Sequence, residues 1–364
     1  MKLALLGDIA LFGNLSYANN PQLESYFEEV ANYLGTMDSV VGNLETPFSV
    51  KRKTNGAKSA YIFSEPENIK VLKQLHVDAV TLANNHVFDY GKEGYELTKT
   101  LLDENGIGFF GSEGKELFKE IEGNKLAFSG FCCYSTNPLQ CVKYGEYGVN
   151  EFNVRNAEKI LLRNQSNGFL NVVSVHAGTE HVNYPSLDTI DVARRLSAKC
   201  PMIYYGHHPH VSQGVEKFDQ SLVAYSLGNF CFDDVYSSAS DKPLIELSEN
   251  NRSSFILEVT IEDNSIVSYK IVPIYIGKDK MSIGDKGTSE DKVVEYTDAI
   301  QQMSREKYAV NRQMSINSYI GQRKAKRDVM WYLKRLRPRY VSILLNARRN
   351  AKKYNQSVMK YLSE

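Results

Sequence analysis

The chain has 364 residues, of which 42% are hydrophobic and 24% charged, and these proportions exclude a disordered or fibrous protein. No apolar run approaches the roughly 18 residues of a membrane-spanning helix, so we expect no transmembrane segment. The formal net charge is zero, yet residues 301–364 carry 16 Lys and Arg against three acidic residues. The sequence therefore combines an acidic body with a basic tail, which predicts two regions with different roles.

The N-terminus and the cysteines bear on the compartment. Residues 1–8 have too short an apolar part for a signal peptide and are typical of a first strand. Five cysteines without C-x-x-C spacing argue against a disulfide framework and a zinc knuckle, so we expect reduced thiols in the core. We predict a cytoplasmic protein, with peripheral attachment at the inner face of the membrane as an option.

Up to about residue 235, short apolar runs alternate with longer amphipathic stretches. The runs are 2–6, 39–41, 79–83, 170–175, 202–205 and 222–225. Continuous apolar runs predict strands that are buried on both faces, as in parallel sheets. The stretches 20–35, 65–75, 91–105, 154–167 and 187–199 have the length and spacing of helices. This alternation predicts an α/β fold.

The pattern changes after residue 234. Residues 253–261 and 266–276 are rich in Val, Ile and Tyr and predict a β-hairpin that adds edge strands to the main sheet. The polar stretch 277–292 follows. We therefore divide the chain into a domain of residues 1–276, a linker of 277–292 and a basic helical tail of 293–364.

The tail has apolar residues at helical spacing, with basic residues on other faces, and Pro338 separates its last helix from one around Trp331. Such a helix suits an anionic membrane surface or an acidic partner such as a synthase. The alternative is that it packs against the acidic body of its own chain. We expect no nucleic acid partner, because no groove-reading motif accompanies the charge.

Polar residues follow the predicted strands at the carboxyl ends, where α/β sheets hold ligands. Those able to bind a cation are Asp8, Glu45, Asn85, His176, His208 and His210. Each alone has a structural explanation, such as a turn cap or a left-handed residue. Together they predict a metal site, and mixed oxygen and nitrogen ligands favour one or two Mn, Fe or Zn ions over calcium or magnesium.

His86 and Asp89 are candidate catalytic residues beside this site. A histidine next to a metal ligand can donate a proton to a leaving group, and an aspartate can orient it through its other ring nitrogen. The alternative is that the two residues form a capping pair before Gly91.

The ordered motifs identify the first 235 residues with a family. They are Gly7-Asp8, Gly42-Asn43-Leu44-Glu45, Asn84-Asn85-His86-x-x-Asp89, His176-Ala177-Gly178-Thr179-Glu180, Gly206-His207-His208-Pro209-His210 and Ser226-Leu227-Gly228-Asn229. This set closely resembles the bacterial capsule-synthesis proteins of the CapA type, which are associated with poly-γ-glutamate and exopolysaccharide production. The resemblance does not extend to the tail.

That family is similar to the calcineurin-like metallophosphoesterases. The resemblance implies a four-layer α/β/β/α sandwich, metallophosphoesterase-like, with a metal centre at one sheet edge. To this the charge and periodicity of the tail add a C-terminal basic helical extension. The resemblance also implies Asn85 as a ligand, His86 as the proton donor and His176 as the lone histidine ligand. The sequence departs from the pattern at Ala10, where a histidine ligand is usual, and His181 is offered as an extra ligand or acid.

The function that follows is a metal-dependent hydrolase of phosphoesters or amides in capsule, exopolysaccharide or poly-γ-glutamate biosynthesis. Its partner would be the polymer or a precursor of it. The alternative is a non-catalytic metal-binding scaffold of a membrane-associated polymer synthase, which the missing ligand at Ala10 favours.

Overall fold

Two β-sheets pack face to face at the centre of the molecule, and helices cover the outer face of each. The structure is a computed structural model that describes residues 1–50, 60–237, 240–284, 289–325 and 338–364. Its helices of four residues or more within these ranges are α1 Leu23–Leu34, α2 Ile69–Gln74, α3 Gly91–Glu104, α4 Val154–Ser166, α5 Leu187–Ser197, α6 Glu249–Arg252, α7 Ser289–Gln302, α8 Arg305–Ala325 and α9 Pro338–Leu362.

The first sheet has eight strands. It combines the first four strands of the chain with the hairpin formed by residues 253–276. Its strands are β1 Lys2–Ile9, β2 Ser39–Leu44, β3 Ala79–Thr81, β4 Gly108–Phe110, β13 Asn229–Cys231, β16 Ser253–Glu262, β17 Ser265–Ile276 and β18 Met281–Ile283. The order is β18-β17-β16-β1-β2-β3-β4, and β13 pairs with β1. Strands β1 to β4 run parallel, whereas β16 joins β1 antiparallel. The predicted hairpin is confirmed and extends the sheet on one side, but β18 pairs with β17 and forms the edge there.

The second sheet has six strands with a parallel centre. Its strands are β5 Leu117–Ile121, β6 Asn124–Cys132, β9 Leu170–His176, β10 Met202–His207, β11 Val215–Phe218 and β12 Ser221–Ala224. The order is β11-β12-β10-β9-β6-β5, with antiparallel pairs only at the two edges. Two short ladders lie outside both sheets: β7 Cys141–Val142 with β8 Val149–Asn150, and β14 Val235–Ser237 with β15 Ser240–Ile245.

Three apolar clusters separate the layers. The middle cluster joins both sheets, through residues such as Leu5 of β1 and Tyr205 of β10. The first outer cluster joins the first sheet to α1, α2 and α3, and the second joins the second sheet to α4, α5 and α9. The predicted four-layer α/β/β/α sandwich is confirmed, because each sheet is buried on both faces as its continuous apolar runs require.

The helices begin and end close to their predicted positions. Helix α1 buries Leu23, Phe27, Val30 and Leu34, which recur at helical spacing on one face. Helix α4 begins after Asn153, whose side chain accepts the backbone N–H of Asn156 at 3.2 Å. Strands β4 and β6 were absent from the predicted set, since β4 has three residues and Ser129 and Gly130 interrupt the apolar run of β6.

The tail packs against the body where the structure describes it. Val293 of α7 lies in the middle cluster, and Tyr308 of α8 and Tyr354, Val358 and Tyr361 of α9 lie in the second outer cluster. Within the predicted linker, β18 pairs with β17. The division into two domains stays a prediction, and the predicted helix around Trp331 lies outside the described residues. None of the described helices combines the length and apolar character that a membrane crossing requires.

Candidate metal centre

The six predicted metal ligands come from five strand ends. Asp8 lies in β1, Glu45 directly after β2, and Asn85 in the loop after β3. In the second sheet, His176 is the last residue of β9, and β10 ends one residue before His208. Because parallel strands end at the same edge, the fold places these side chains around one opening between the sheets. Cysteines take no part, and all five are free thiols.

Asp8, Glu45 and His210 form the tightest group. Each offers a ligand atom, and these atoms lie within 4.8 Å of one another. His210 Nε2 is 3.7 Å from Glu45 Oε1, and His210 Nδ1 is 3.3 Å from Asp8 Oδ2. Asp8 and Glu45 are 0% exposed, and buried carboxylates are costly unless a cation or donor compensates them. The group therefore fits a divalent ion.

Asn85, His176 and His208 form a second group beside the first. His176 Nε2 lies 3.0 Å from Asn85 Oδ1, and the rings of His176 and His208 are 4.9 Å apart between centroids. In the described part of the chain, no hydrogen-bond partner reaches Nδ1 of His176 or Nδ1 of His208, although both atoms are buried. A buried imidazole nitrogen without a donor is suited to bind a cation.

The charge distribution in the first group is that of a site for positive charge. Burial lowers the pKa of His210, but the carboxylates of Glu45 and Asp8 outweigh it and raise that pKa to about 10. Burial raises the pKa of Asp8, but His207 and His210 outweigh it and hold that pKa well below its usual range. Without a cation, an imidazolium between two carboxylates supplies the positive charge.

The two histidines of the second group are neutral imidazoles. Burial, and then the positive charge of neighbouring histidines, hold the pKa of His176 well below its usual range. Burial lowers the pKa of His208 to about 4, with a further contribution from His210 against the opposing charges of Glu180 and Asp8. Neutral imidazole is the form that binds metals, so these two side chains need no proton release to act as ligands.

His86 and Asp89 are paired at the side of this centre. His86 Nδ1 lies 2.6 Å from Asp89 Oδ2, which also accepts the backbone N–H of Ile62 at 3.2 Å. His86 Nε2 is 4.0 Å from Glu45 Oε1. The carboxylate fixes the proton on Nδ1 and directs Nε2 toward the metal ligands, as a proton donor requires.

Positioning residues surround Asp8 and His210. The β-sheet register places Asn43 and Asn229 opposite Asp8 on its two neighbouring strands. Asn43 donates to Asp8 Oδ1 at 2.8 Å, and Asn229 Oδ1 lies 2.9 Å from His210 Nδ1. The latter contact leaves Nε2 of His210 as its ligand atom. His207 Nδ1 lies 2.9 Å from Asp8 Oδ1. The sequence motifs contained these residues, but their roles follow only from the pairing of β1 with β2 and β13.

Strained backbone accompanies the histidines. His208 has a φ of 93° and His210 has a φ of 57°. Residues other than glycine rarely adopt this region of backbone conformation. Gly7 of β1 and Gly206 of β10 allow the backbone of residues 225–228 to approach these two strands closely. A Cβ on Gly7 would lie 2.0 Å from Gly228 O, and one on Gly206 would lie 1.8 Å from Tyr225 O. Both glycines directly precede residues of the site, so the close approach of the strands positions Asp8 and the histidines.

A cavity of about 520 Å³ opens on the site. Its lining includes Asn85, His86, His208 and His210 from the centre, and Ile62, Phe232, Val235, Ile245 and Leu247 as an apolar part. Glu180 and His181 also line it, together with Tyr319 and Arg323 of α8. His181 Nδ1 lies 2.8 Å from the Asn251 side-chain nitrogen, and burial lowers the pKa of His181 to about 4. No motif in the sequence of the tail predicted that α8 reaches the cavity.

Comparison with known proteins gives a family match over the part of the chain that forms this centre. The model of the bacterial capsule synthesis protein PGA_cap matches residues 2–234. The capsule biosynthesis protein CapA of Bacillus anthracis is 28% identical over 274 residues, which cover 71% of this chain and 66% of that protein. The PGA biosynthesis protein CapA of Bacillus subtilis (strain 168) is 28% identical over 266 residues, covering 71% and 69%. The matches thus span about two thirds of these relatives.

Among solved structures, the chain is similar to the NAD nucleotidase of Haemophilus influenzae and to a putative 5'-nucleotidase of Staphylococcus aureus. The first has a TM-score of 0.45 at 13% identity and covers 89% of this chain and 60% of that one. The second has a TM-score of 0.45 at 11% identity and covers 82% and 58%.

Proposed function

The chain belongs to the bacterial capsule synthesis protein family, and from this membership and its strand-end centre we propose that it is a metal-dependent hydrolase in capsule or exopolysaccharide biosynthesis. The bond it cleaves would be a phosphoester or an amide, in the polymer or in a precursor. Poly-γ-glutamate is one such polymer, by analogy with the named role of the Bacillus subtilis relative.

One observation carries the proposal: Asp8, Glu45 and His210 place buried ligand atoms within 4.8 Å of one another, with three further ligands alongside. Asp8 and Glu45 would hold the metal through their carboxylates and His210 through a ring nitrogen. A bound Mn, Fe or Zn ion lowers the pKa of water and polarises a phosphoryl or carbonyl oxygen.

The remaining chemistry falls to residues of the chain. His86, held by Asp89 at 2.6 Å, would deliver a proton to the leaving group. The apolar part of the cavity, with Phe232 4.8 Å from the His210 ring, would exclude bulk water from the reacting group. His207 and Asn43 would hold Asp8 in place through their contacts with Oδ1.

A second candidate function is a non-catalytic assembly component, and one observation favours it. Ala10 lies two residues after Asp8, is 0% exposed and has no ligand atom. The metallophosphoesterases that the sequence resembles have a histidine at this position. The position formed by Asp8, Glu45 and His210 therefore has one ligand fewer. If that position held no ion, the centre would be structural, and the chain would act by recruiting a synthase.

Metal content measured by elemental mass spectrometry tests the first proposal. We expect one or two Mn, Fe or Zn ions per chain in the purified protein, and a loss of at least one ion in His208→Ala and in Asp8→Asn. His76→Ala is the matched control, because His76 is exposed and lies outside the centre. Equal metal content in all four proteins would overturn the assignment of the site.

Hydrolysis separates the two candidate functions. We expect the metal-loaded chain to hydrolyse an aryl phosphate monoester or diester, and His208→Ala to lose this activity. A protein that binds no metal after incubation with manganese, iron or zinc, and hydrolyses neither ester, would favour the assembly component. Two bound ions with turnover would exclude it as the sole function.

A further inference from the structure

Helix α8 lies outside the region that matches the family, yet it completes the cavity above the metal centre. Its first half is fixed to the body. Arg305 forms two hydrogen bonds of 2.8 Å with Asp191, and the buried Tyr308 donates to Pro185 O at 2.9 Å. Arg312 donates to Tyr184 O at 3.2 Å and to Thr179 Oγ1 at 3.1 Å. These contacts fix the helix beside the loop that follows β9.

The fixed helix presents two side chains to the cavity. Tyr308, Arg312, Tyr319 and Arg323 recur at intervals that keep them on one helical face. The Tyr319 ring packs against His181 with 4.7 Å between centroids. Arg323 Nη1 donates to Tyr319 Oη at 3.1 Å. Tyr319 therefore holds the Arg323 guanidinium at the border of the cavity.

Arg323 retains donors for a ligand. A guanidinium has five N–H groups in a planar fork, and the contact with Tyr319 uses one of its nitrogen atoms. Among the described residues, the nearest carboxylate oxygen is Glu180 Oε2, which lies 3.9 Å from Arg323 Nη1 and so beyond a direct hydrogen bond. The Arg323 side chain is 46% exposed. The other edge of the guanidinium can thus donate hydrogen bonds to a planar or tetrahedral anion.

A second cavity begins where Arg323 stands. It has a volume of about 460 Å³ and shares His181, Ile245, Tyr319 and Arg323 with the cavity above the metal centre. Its other lining residues are mostly amides and hydroxyls, including Asn183, Ser248, Asn250, Ser315, Ser318 and Gln322. Such a lining suits the hydroxyl or amide groups of an extended molecule. A substrate with several repeating units can therefore extend from one cavity into the other and contact Arg323 between them.

We propose that Arg323, positioned by Tyr319, forms an anion-binding subsite that holds a carboxylate or phosphate group of an extended substrate whose reacting bond lies at the metal centre. This inference rests on the proposed function for the reaction at that centre. Anion binding at Arg323 itself requires no metal and no turnover. The tail would then contribute to substrate recognition as well as to packing.

Anion binding to the chain of 364 residues tests the subsite. The chain is first treated with a chelator, so that anions do not bind through a metal ion, and is then titrated calorimetrically with inorganic phosphate and, separately, with glutarate. We expect Arg323→Gln to weaken binding of at least one of them by about tenfold, since a charge-assisted, two-point contact is lost. The matched control is Lys324→Gln, which removes the same charge one residue further on and lines neither cavity.

Two further variants refine the test. Tyr319→Phe removes the hydrogen bond to Arg323 but keeps the ring against His181, and we expect a smaller, severalfold weakening. Glu180→Gln removes the nearby negative charge, and we expect tighter anion binding. Unchanged melting temperatures would show that all variants are folded. An effect confined to phosphate or to glutarate would identify the chemical group, and an effect on both would indicate an anion site without preference.

The outcomes also separate this inference from the proposed function. Equal affinities in Arg323→Gln and Lys324→Gln, or no binding of either anion to the unmodified chain, would overturn the subsite even if the metal-loaded chain hydrolyses esters. Anion binding that depends on Arg323 in a chain without hydrolytic activity would support the subsite and count against the hydrolase.

Discussion

At the scale of single residues, one side of the His86 ring contacts the carboxylate of Asp89, and the ring also lines the cavity above the metal centre. The 2.6 Å contact between His86 Nδ1 and Asp89 Oδ2 determines which ring nitrogen carries the proton, and this contact depends on a buried aspartate. The capping-pair alternative accounts for the pairing but gives no reason why the ring lines the cavity beside Asn85, His208 and His210.

We expect His86→Asn to lower kcat by roughly 10²–10⁴-fold, because the leaving group loses its proton donor, while metal content stays unchanged. Asp89→Asn should also lower kcat and shift the pH profile, since it alters the tautomer of His86. The measurement is kcat on the aryl phosphate, with metal content determined on the same samples and His76→Asn as the control. Loss of metal from His86→Asn would instead make His86 a ligand.

At the scale of single elements, the end of β10 decides the geometry of the centre. Gly206 lies where the backbone of Tyr225 comes too near for any side chain, and the next residues bend into the positive-φ conformations of His208 and His210. Packing of β10 between β9 and β12 holds this bend in place. The motif of residues 206–210 therefore determines the course of the backbone as well as supplying ligands.

Gly206→Ala should destabilise the protein by on the order of 3 kcal/mol or more, because its Cβ would lie 1.8 Å from Tyr225 O and the strands would have to separate. Chemical denaturation of this variant measures the change. Gly321→Ala is the matched control, since a Cβ there meets nothing within 4 Å, and we expect it to be neutral or slightly stabilising. A Gly206→Ala protein with unchanged stability would contradict the close approach of the two strands.

At the scale of the whole molecule, the tail joins the body by one face and leaves another exposed. Tyr354, Val358 and Tyr361 of α9 are buried in the second outer cluster. In the first half of the same helix, Val341, Leu344 and Leu345 are between 50% and 58% exposed. Arg348 and Lys352 follow Leu344 and Leu345 at helical spacing. Packing against the body therefore accounts for only part of this helix.

The interaction of α9 with an anionic membrane stays a prediction, and the exposed residues sharpen its test. We expect the chain to float with vesicles of phosphatidylglycerol and to float less after Leu344→Ser with Leu345→Ser. Binding to an anionic surface requires exposed apolar side chains that lie next to basic residues, and the double variant removes the apolar side chains. Val310→Ser with Met314→Ser on α8 is the control pair, because these two side chains are at least as exposed as Leu344 and Leu345. Equal flotation of both double variants, or none of the unmodified chain, would refute the prediction.

Most of the fold follows from local sequence. Continuous apolar runs predicted strands buried on two faces, and amphipathic stretches predicted α1 to α5, because helices and strands differ in the spacing of their buried residues. The sequence pattern does not predict strand β6, because Ser129 and Gly130 interrupt its apolar run, although both residues are buried and pair with β9. Burial by neighbours is not visible in a single segment.

The candidate ligands could be predicted from the sequence, since they stand at or just after the ends of five strands and the ends of parallel strands meet at one edge. What tertiary structure decided was which residues support them and what lies across from them. Asn229 reaches His210 through the pairing of β13 with β1, across 221 residues of chain from Asp8 to Asn229. Arg323 and Tyr319 reach the cavity because α8 is fixed by Arg305, Tyr308 and Arg312. Periodicity specifies which face of a helix is buried, but only packing specifies against what.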